Sequence, residues 1–261
     1  MPEQVMRKVW GVFDQADQVY GVPWPVEYRV DADARLARLR SFGVVAFTSM
    51  IYAHKPGMSA WLNEWAREFA QITPGVLATS TFFPEPGVQQ YVARAIEGGA
   101  RVFKVHLQVG DFDPRDRQLD DVWGMLADSG IPVVVHCGSG PAPGRFTGPG
   151  PIGEVLAEHP GLSLIVAHMG APEYGEFLAL AARYPHVRLD TTMAFTDFME
   201  RLAPFPVASR DALRDAGLRG DVLFGSDFPN IPYPFAEAVD ALVRLDFGQD
   251  WLRQLLFGAA S

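Results

Sequence analysis

With 261 residues the chain is long enough for one (β/α)₈ barrel, which takes about 250, and a hydrophobic content of 48% excludes a disordered protein. A formal net charge of −9 argues against nucleic acid as a partner, because an acidic surface repels phosphate backbones. A single cysteine, Cys137, excludes a disulfide within the chain and fits a reducing cytoplasm. The N-terminal MPEQVMRKVW has no signal-like apolar stretch, and no apolar run approaches the roughly 20 residues of a membrane span. The expectation is therefore a soluble, cytoplasmic protein of one domain, 1–261, with no membrane partner.

In chain order, 1–31 holds Gly11, Gly21, Pro23, Pro25 and scattered aromatics, and reads as a long loop with room for one short helix. Residues 33–42 read as a helix. Seven Val- and Ile-rich runs follow, bounded by Gly and Pro, and read as buried strands: 44–51, 76–83, 102–107, 131–137, 162–168, 187–192 and 221–227. Helix-like stretches lie between them at 58–71, 88–97, 119–129, 152–158 and 174–183. A strand and a helix every ~30 residues is the length of a βαβ unit and implies a parallel sheet. The predicted fold is α/β, a (β/α)₈ TIM barrel, with seven strands where eight are needed. The segment 138–151, GSGPAPGRFTGPGP, directly follows a strand and reads as an active-site loop rather than a linker.

Three strand runs end in chemistry: VVVH in His136, LIVAH in His168 and VLFGSD in Asp227. C-terminal strand ends form the reactive face of such a barrel. Two neutral imidazoles and a carboxylate suit a divalent metal, zinc by default, and equally suit acid–base work. In VFKVHL, Lys104 and His106 share one strand face and Phe103, Val105 and Leu107 the other. Lys104 then either binds a substrate carboxylate, bridges metals once carbamylated, or pairs with a barrel acid such as Asp190 or Asp227. Arg145, in the loop after His136, is a candidate carboxylate clamp or a solvated loop residue. His54 and Lys55 follow the first strand run and are candidates for the mouth or for plain surface. His159 and His186, each beside a proline ahead of a strand, read as structural. Cys137 reads as a small buried hydrophobe, and WLNEW (61–65) as a helix-packing stripe.

The ordered motifs FKVHLQ (103–108), VVVHCGSG (133–140), IVAHMG (165–170), VRLDTT (187–192) and LFGSDFP (223–229) resemble the amidohydrolase superfamily. The likeness is to its amidohydrolase-related branch, which includes aminocarboxymuconate-semialdehyde decarboxylase, aromatic-acid decarboxylases and lactone hydrolases. The resemblance implies that His136 is a metal ligand, that Asp227 is a ligand, a general base or both, and that His168 is a second-metal ligand or polarises the substrate. It gives Lys104 and His106 a substrate-side or metal-side role. It also implies a first strand ending in His-x-His, which no segment here supplies. The expectation is that this strand lies upstream of Met1, that the C-terminal helix is cut short at LLFGAAS, and that the chain so truncated exposes two sheet edges and is poorly stable, aggregates or binds metal weakly.

The leading functional expectation is a metal-dependent hydrolase in which metal-activated water attacks a small, carboxylated amide, ester or lactone. Asp227 would take the proton, His168 would polarise the carbonyl, and Lys104, His106, Arg145 and His54 would line the substrate site. The alternatives are a non-oxidative decarboxylase on the same scaffold and an inactive scaffold. The expected partners are a small-molecule substrate and possible further copies of the chain.

Overall fold

Val- and Ile-rich runs between glycines and prolines form the strands, and amphipathic stretches form the helices between them. In the computed structural model the described residues are 1–258. Their order is α1 (Glu3–Phe13), α2 (Ala16–Tyr20), α3 (Ala32–Ser41), β1 (Phe47–Thr48), α4 (Ser59–Ile72), β2 (Val76–Leu77), β3 (Thr79–Ser80), α5 (Val88–Glu97), β4 (Val102–His106), α6 (Leu107–Gly110) and α7 (Asp120–Ser129). Then follow β5 (Val133–His136), α8 (Pro149–Glu158), β6 (Leu164–Val166), α9 (Tyr174–Arg183), β7 (Val187–Asp190), α10 (Asp197–Leu202), α11 (Arg210–Arg219), β8 (Val222–Leu223), α12 (Phe235–Arg244) and α13 (Gln249–Phe257). No helix among the described residues is long and apolar enough to cross a membrane. The stop at LLFGAAS involves residues 259–261, which lie outside the described residues.

The chain divides into two compact units, Ala46–Asp190 and a second built from Met1–Val45 with Thr191 onward. In the first, β1 pairs parallel with β2, and β3, β4, β5, β6 and β7 pair in sequence order, all parallel. Parallel neighbours need a crossover between them, and the intervening helices supply it. The two faces of β4 differ. Phe103 and Val105 are buried on one, where Phe82 lies 6.1 Å from Phe103 and 5.1 Å from the Trp123 ring. Val102 starts the other face, in an apolar cluster with Val134 and Ala167, against which Met50 and Ile165 pack. Lys104 and His106 continue that face at every second residue.

The second unit ties the N-terminal segment to residues after 191. The Trp10 indole N–H donates to Asn230 Oδ1 at 3.1 Å, the Trp24 indole to the Asn230 carbonyl at 2.8 Å, and the Phe235 amide to the Tyr28 hydroxyl at 2.7 Å. Aromatic rings pack around these bonds, with Trp24 4.7 Å from Phe198 and Phe42 stacked on Phe235 at 4.6 Å. The segment 1–31 is thus more ordered than its glycines and prolines suggest. Pro2 caps α1, where a proline costs nothing, and Gly21 ends α2 with φ at 71°. Among the described residues no strand precedes Phe47. The other strand runs each carry one strand, shortened at its ends, and the run 76–83 is split into β2 and β3 at Ala78. There the Ala78 carbonyl accepts the amides of Arg101 and Val102 instead.

Candidate active site

The register of the parallel sheet brings the imidazoles together. His106 is the register partner of His136 across β4 and β5, at the last residue of each strand. Their rings stack at 3.9 Å with 11° between planes, and the His168 ring lies edge-on to His136 at 4.8 Å. Tyr52 lies 5.1 Å from His106. Sequence reasoning gave Tyr52 no role, because it follows β1 in a loop whose path no pattern reveals.

The protons of His136 and His106 can be placed from their main-chain partners. His136 Nε2 lies 3.0 Å from the Gly140 carbonyl, which can only accept, so Nε2 carries the hydrogen and Nδ1 keeps its lone pair. The Val109 amide, which can only donate, points at His106 Nδ1 at 3.3 Å. Burial pushes both imidazoles well below the ordinary histidine range, and the neighbouring imidazoles and Lys104 push the same way. A neutral imidazole with a lone pair is what a divalent metal binds, so His136, with the His168 ring beside it, offers a donor that fits a metal ion.

The backbone around these residues is shaped for close approach. A Cβ on Gly138 would come within 2.6 Å of the Ala171 carbonyl oxygen, while the Gly140 amide donates to that oxygen at 2.9 Å. This contact joins the loop after β5 to the turn that holds His168. His168 does not end β6; it lies two residues beyond it, in a short turn with φ at 56°, and its amide donates to the buried Asp190 carboxylate at 3.0 Å. Asp190, weighed from sequence only as a partner for Lys104, thus anchors the backbone of His168. Asp227 likewise lies beyond its strand, four residues after Leu223, exposed and with φ at 53°. Its carbonyl closes a turn onto the Asn230 amide at 2.9 Å, and its charge, after burial, raises the pKa of the Tyr233 hydroxyl.

The remaining candidates separate by burial. Lys104 is buried, 7% exposed, on the face shared with His106. Arg145 is exposed on the loop after β5, its guanidinium 5.0 Å over the Phe146 ring, and His54 is exposed after β1. Cys137 is fully buried and its thiol pKa is pushed up, as befits an inert residue. In 61–65, Leu62 is the buried residue and Trp61 is exposed; Asn63 instead clasps the Thr81 backbone, accepting from its amide at 2.8 Å and donating to its carbonyl at 3.0 Å. Among the described residues, the one trio of acid and imidazole ligand atoms mutually within 4.8 Å is Asp120, Glu158 and His159. Both acids are exposed and His159 Nε2 hydrogen-bonds Asp120 at 3.1 Å, an ordinary surface contact.

Comparison with solved structures shows the fold. A TIM-barrel protein from Bordetella bronchiseptica superposes with a TM-score of 0.75 at 19% identity, over 97% of this chain and 89% of its own. The 5-carboxyvanillate decarboxylase of Sphingomonas paucimobilis matches with a TM-score of 0.59 at 16% identity, over 88% and 82%. A zinc-bound amidohydrolase from Burkholderia multivorans matches with 0.58 at 18%, over 88% and 87%. No curated protein sequence matches the chain. The chain is thus an α/β protein of the TIM-barrel fold, and since the amidohydrolase family model matches residues 7–260, it belongs to the amidohydrolase family.

Proposed function

We propose that the protein is a metal-dependent hydrolase of a small carboxylated amide, ester or lactone. The observation that carries this reading is His136. The Gly140 carbonyl holds its Nε2–H and leaves Nδ1 as a lone pair, on a ring that burial keeps neutral and that lies 4.8 Å from the His168 ring. His136, His168 and Asp227 would hold the ion. A bound divalent metal, zinc by preference, would polarise the scissile carbonyl and lower the pKa of the attacking water. Asp227 would take the proton released in that attack, and His168 would hold the oxygen on which negative charge develops. Lys104, His106, Arg145 and His54 would bind the substrate, the two cations facing its carboxylate. Family membership and the zinc-bound relative support the metal.

The likeness to a decarboxylase keeps one second reading, loss of CO₂ from an unsaturated or aromatic acid on the same residues. Zinc-loaded protein incubated with carboxylated lactones, N-acyl amino acids and aromatic acids distinguishes them by mass spectrometry. Gain of one water, abolished by chelator, is the expected result. Loss of CO₂ without hydration assigns the lyase, and no turnover of any of these compounds overturns both.

A further inference from the structure

His106 and His136 are register partners with stacked rings, yet they leave opposite atoms unengaged. On His136 the nitrogen left over is Nδ1, a lone pair, because Nε2–H is spent on the Gly140 carbonyl. On His106 the Val109 amide occupies Nδ1, so a neutral ring must carry its hydrogen on Nε2. Among the described residues neither leftover nitrogen has a hydrogen-bond partner. A metal ion requires a lone pair and would find one on His136 only. An oxygen acceptor requires an N–H and would find one on His106 only.

We propose that His106 is a substrate-side donor, whose Nε2–H holds a carboxylate oxygen of the substrate, and not a ligand of the metal. This rests on the metal-hydrolase reading of the same site. Two features favour an anionic oxygen as the guest. Lys104 lies two residues earlier on the same strand face and is buried, so its ammonium would meet an anionic guest where water screens little. The Tyr52 ring lies 5.1 Å from His106 and the His136 ring stacks on it at 3.9 Å, so two aromatic neighbours restrict the imidazole. The bond from Val109 also forms the cap of α6, so the ring orientation is set by the chain and not by a ligand.

The test uses full-length protein labelled with ¹⁵N-histidine, read by long-range ¹H–¹⁵N correlation, with zinc and then benzoate as probes. The expected result is His106 in the Nε2–H form before and after zinc, while His136 Nδ1 moves on zinc addition. Benzoate should then shift the His106 Nε2–H signal. His106→Phe should weaken benzoate by about ten-fold or more, the loss expected for a bond to a charged group. His106→Gln, whose amide reaches the Nε2 position, should stay within about three-fold of the parent, and zinc content should be unchanged in both variants. A hydrogen found on His106 Nδ1, loss of its Nε2–H on zinc binding, or equal benzoate affinity in His106→Phe overturns the proposal. So does failure of the parent to bind benzoate. If zinc moves none of the three histidines, the metal reading fails, and the benzoate comparison still decides the role of His106.

Discussion

A histidine buried in its neutral form makes folding pH-dependent, and His106 and His136 both belong to this class. Their folded pKa values lie well below 6.5, chiefly through burial. Between those depressed values and 6.5 the unfolded chain binds protons that the folded chain refuses. Stability is therefore full above about 6.5 and falls as the pH drops, by up to about 1.4 kcal/mol per unit for each group. Metal-free protein should melt lower at pH 5 than at pH 7.5, and the double variant His106→Gln, His136→Gln should show a flatter profile. An unchanged slope would remove burial of these rings as the cause. On the proposed function, His136→Ala should lose zinc and at least about a hundred-fold in activity while keeping its circular dichroism spectrum, since even outer partners of metal ligands cost 10–100-fold. The identities of His136, His168, Lys104 and His106 are legible as polar residues closing or interrupting apolar runs. The placement of their protons is not, because the partners are main-chain groups of Gly140 and Val109, which reveal nothing by residue type.

The same division holds for elements. Strand runs and helices between 44 and 190 follow from composition and punctuation, and α5 and α9 lie where the periodicity predicts, at Val88–Glu97 and Tyr174–Arg183. Strand ends are less legible. His168 and Asp227 read as the last residues of strands, whereas both sit in turns with positive φ beyond β6 and β8. A positive φ on a non-glycine residue costs energy that local propensity never favours, so tertiary contacts such as the bond from the His168 amide to Asp190 must hold it. The contact between the loop after β5 and the turn after β6 makes a second prediction. Gly138→Ala would drive a methyl to 2.6 Å from a backbone oxygen. It should destabilise the protein by about 1–3 kcal/mol, as overpacking does, and weaken zinc binding by displacing the Gly140 carbonyl from His136. A denaturant melt with a zinc titration measures both, and a variant indistinguishable from the parent would show that this loop yields freely.

For the whole molecule, the useful fact is that one unit is assembled from both halves of the chain. Asn230 is its clasp: the side chain holds Trp10, the main chain holds Trp24, and its amide closes the turn begun at Asp227. Asn230→Ala should cost about 0.5–1.5 kcal/mol through the lost side-chain bond and red-shift tryptophan emission as the Trp10 end loosens. Emission and midpoint equal to the parent would rule the clasp out. No sequence pattern points to this pairing, because its partners are some two hundred positions apart and neither belongs to a periodic run. The arrangement also dictates an order of events at the ribosome. The first 45 residues emerge early, but the segment they fold against begins at Thr191. Until translation passes Asn230 the amphipathic helix α1 is held only by contacts inside the first 45 residues, such as the Glu3–Arg35 pair, and closing the more distant contact is slow. Nascent chains stalled before that point should engage holding chaperones through residues 1–45 and release them once the later stretch is made.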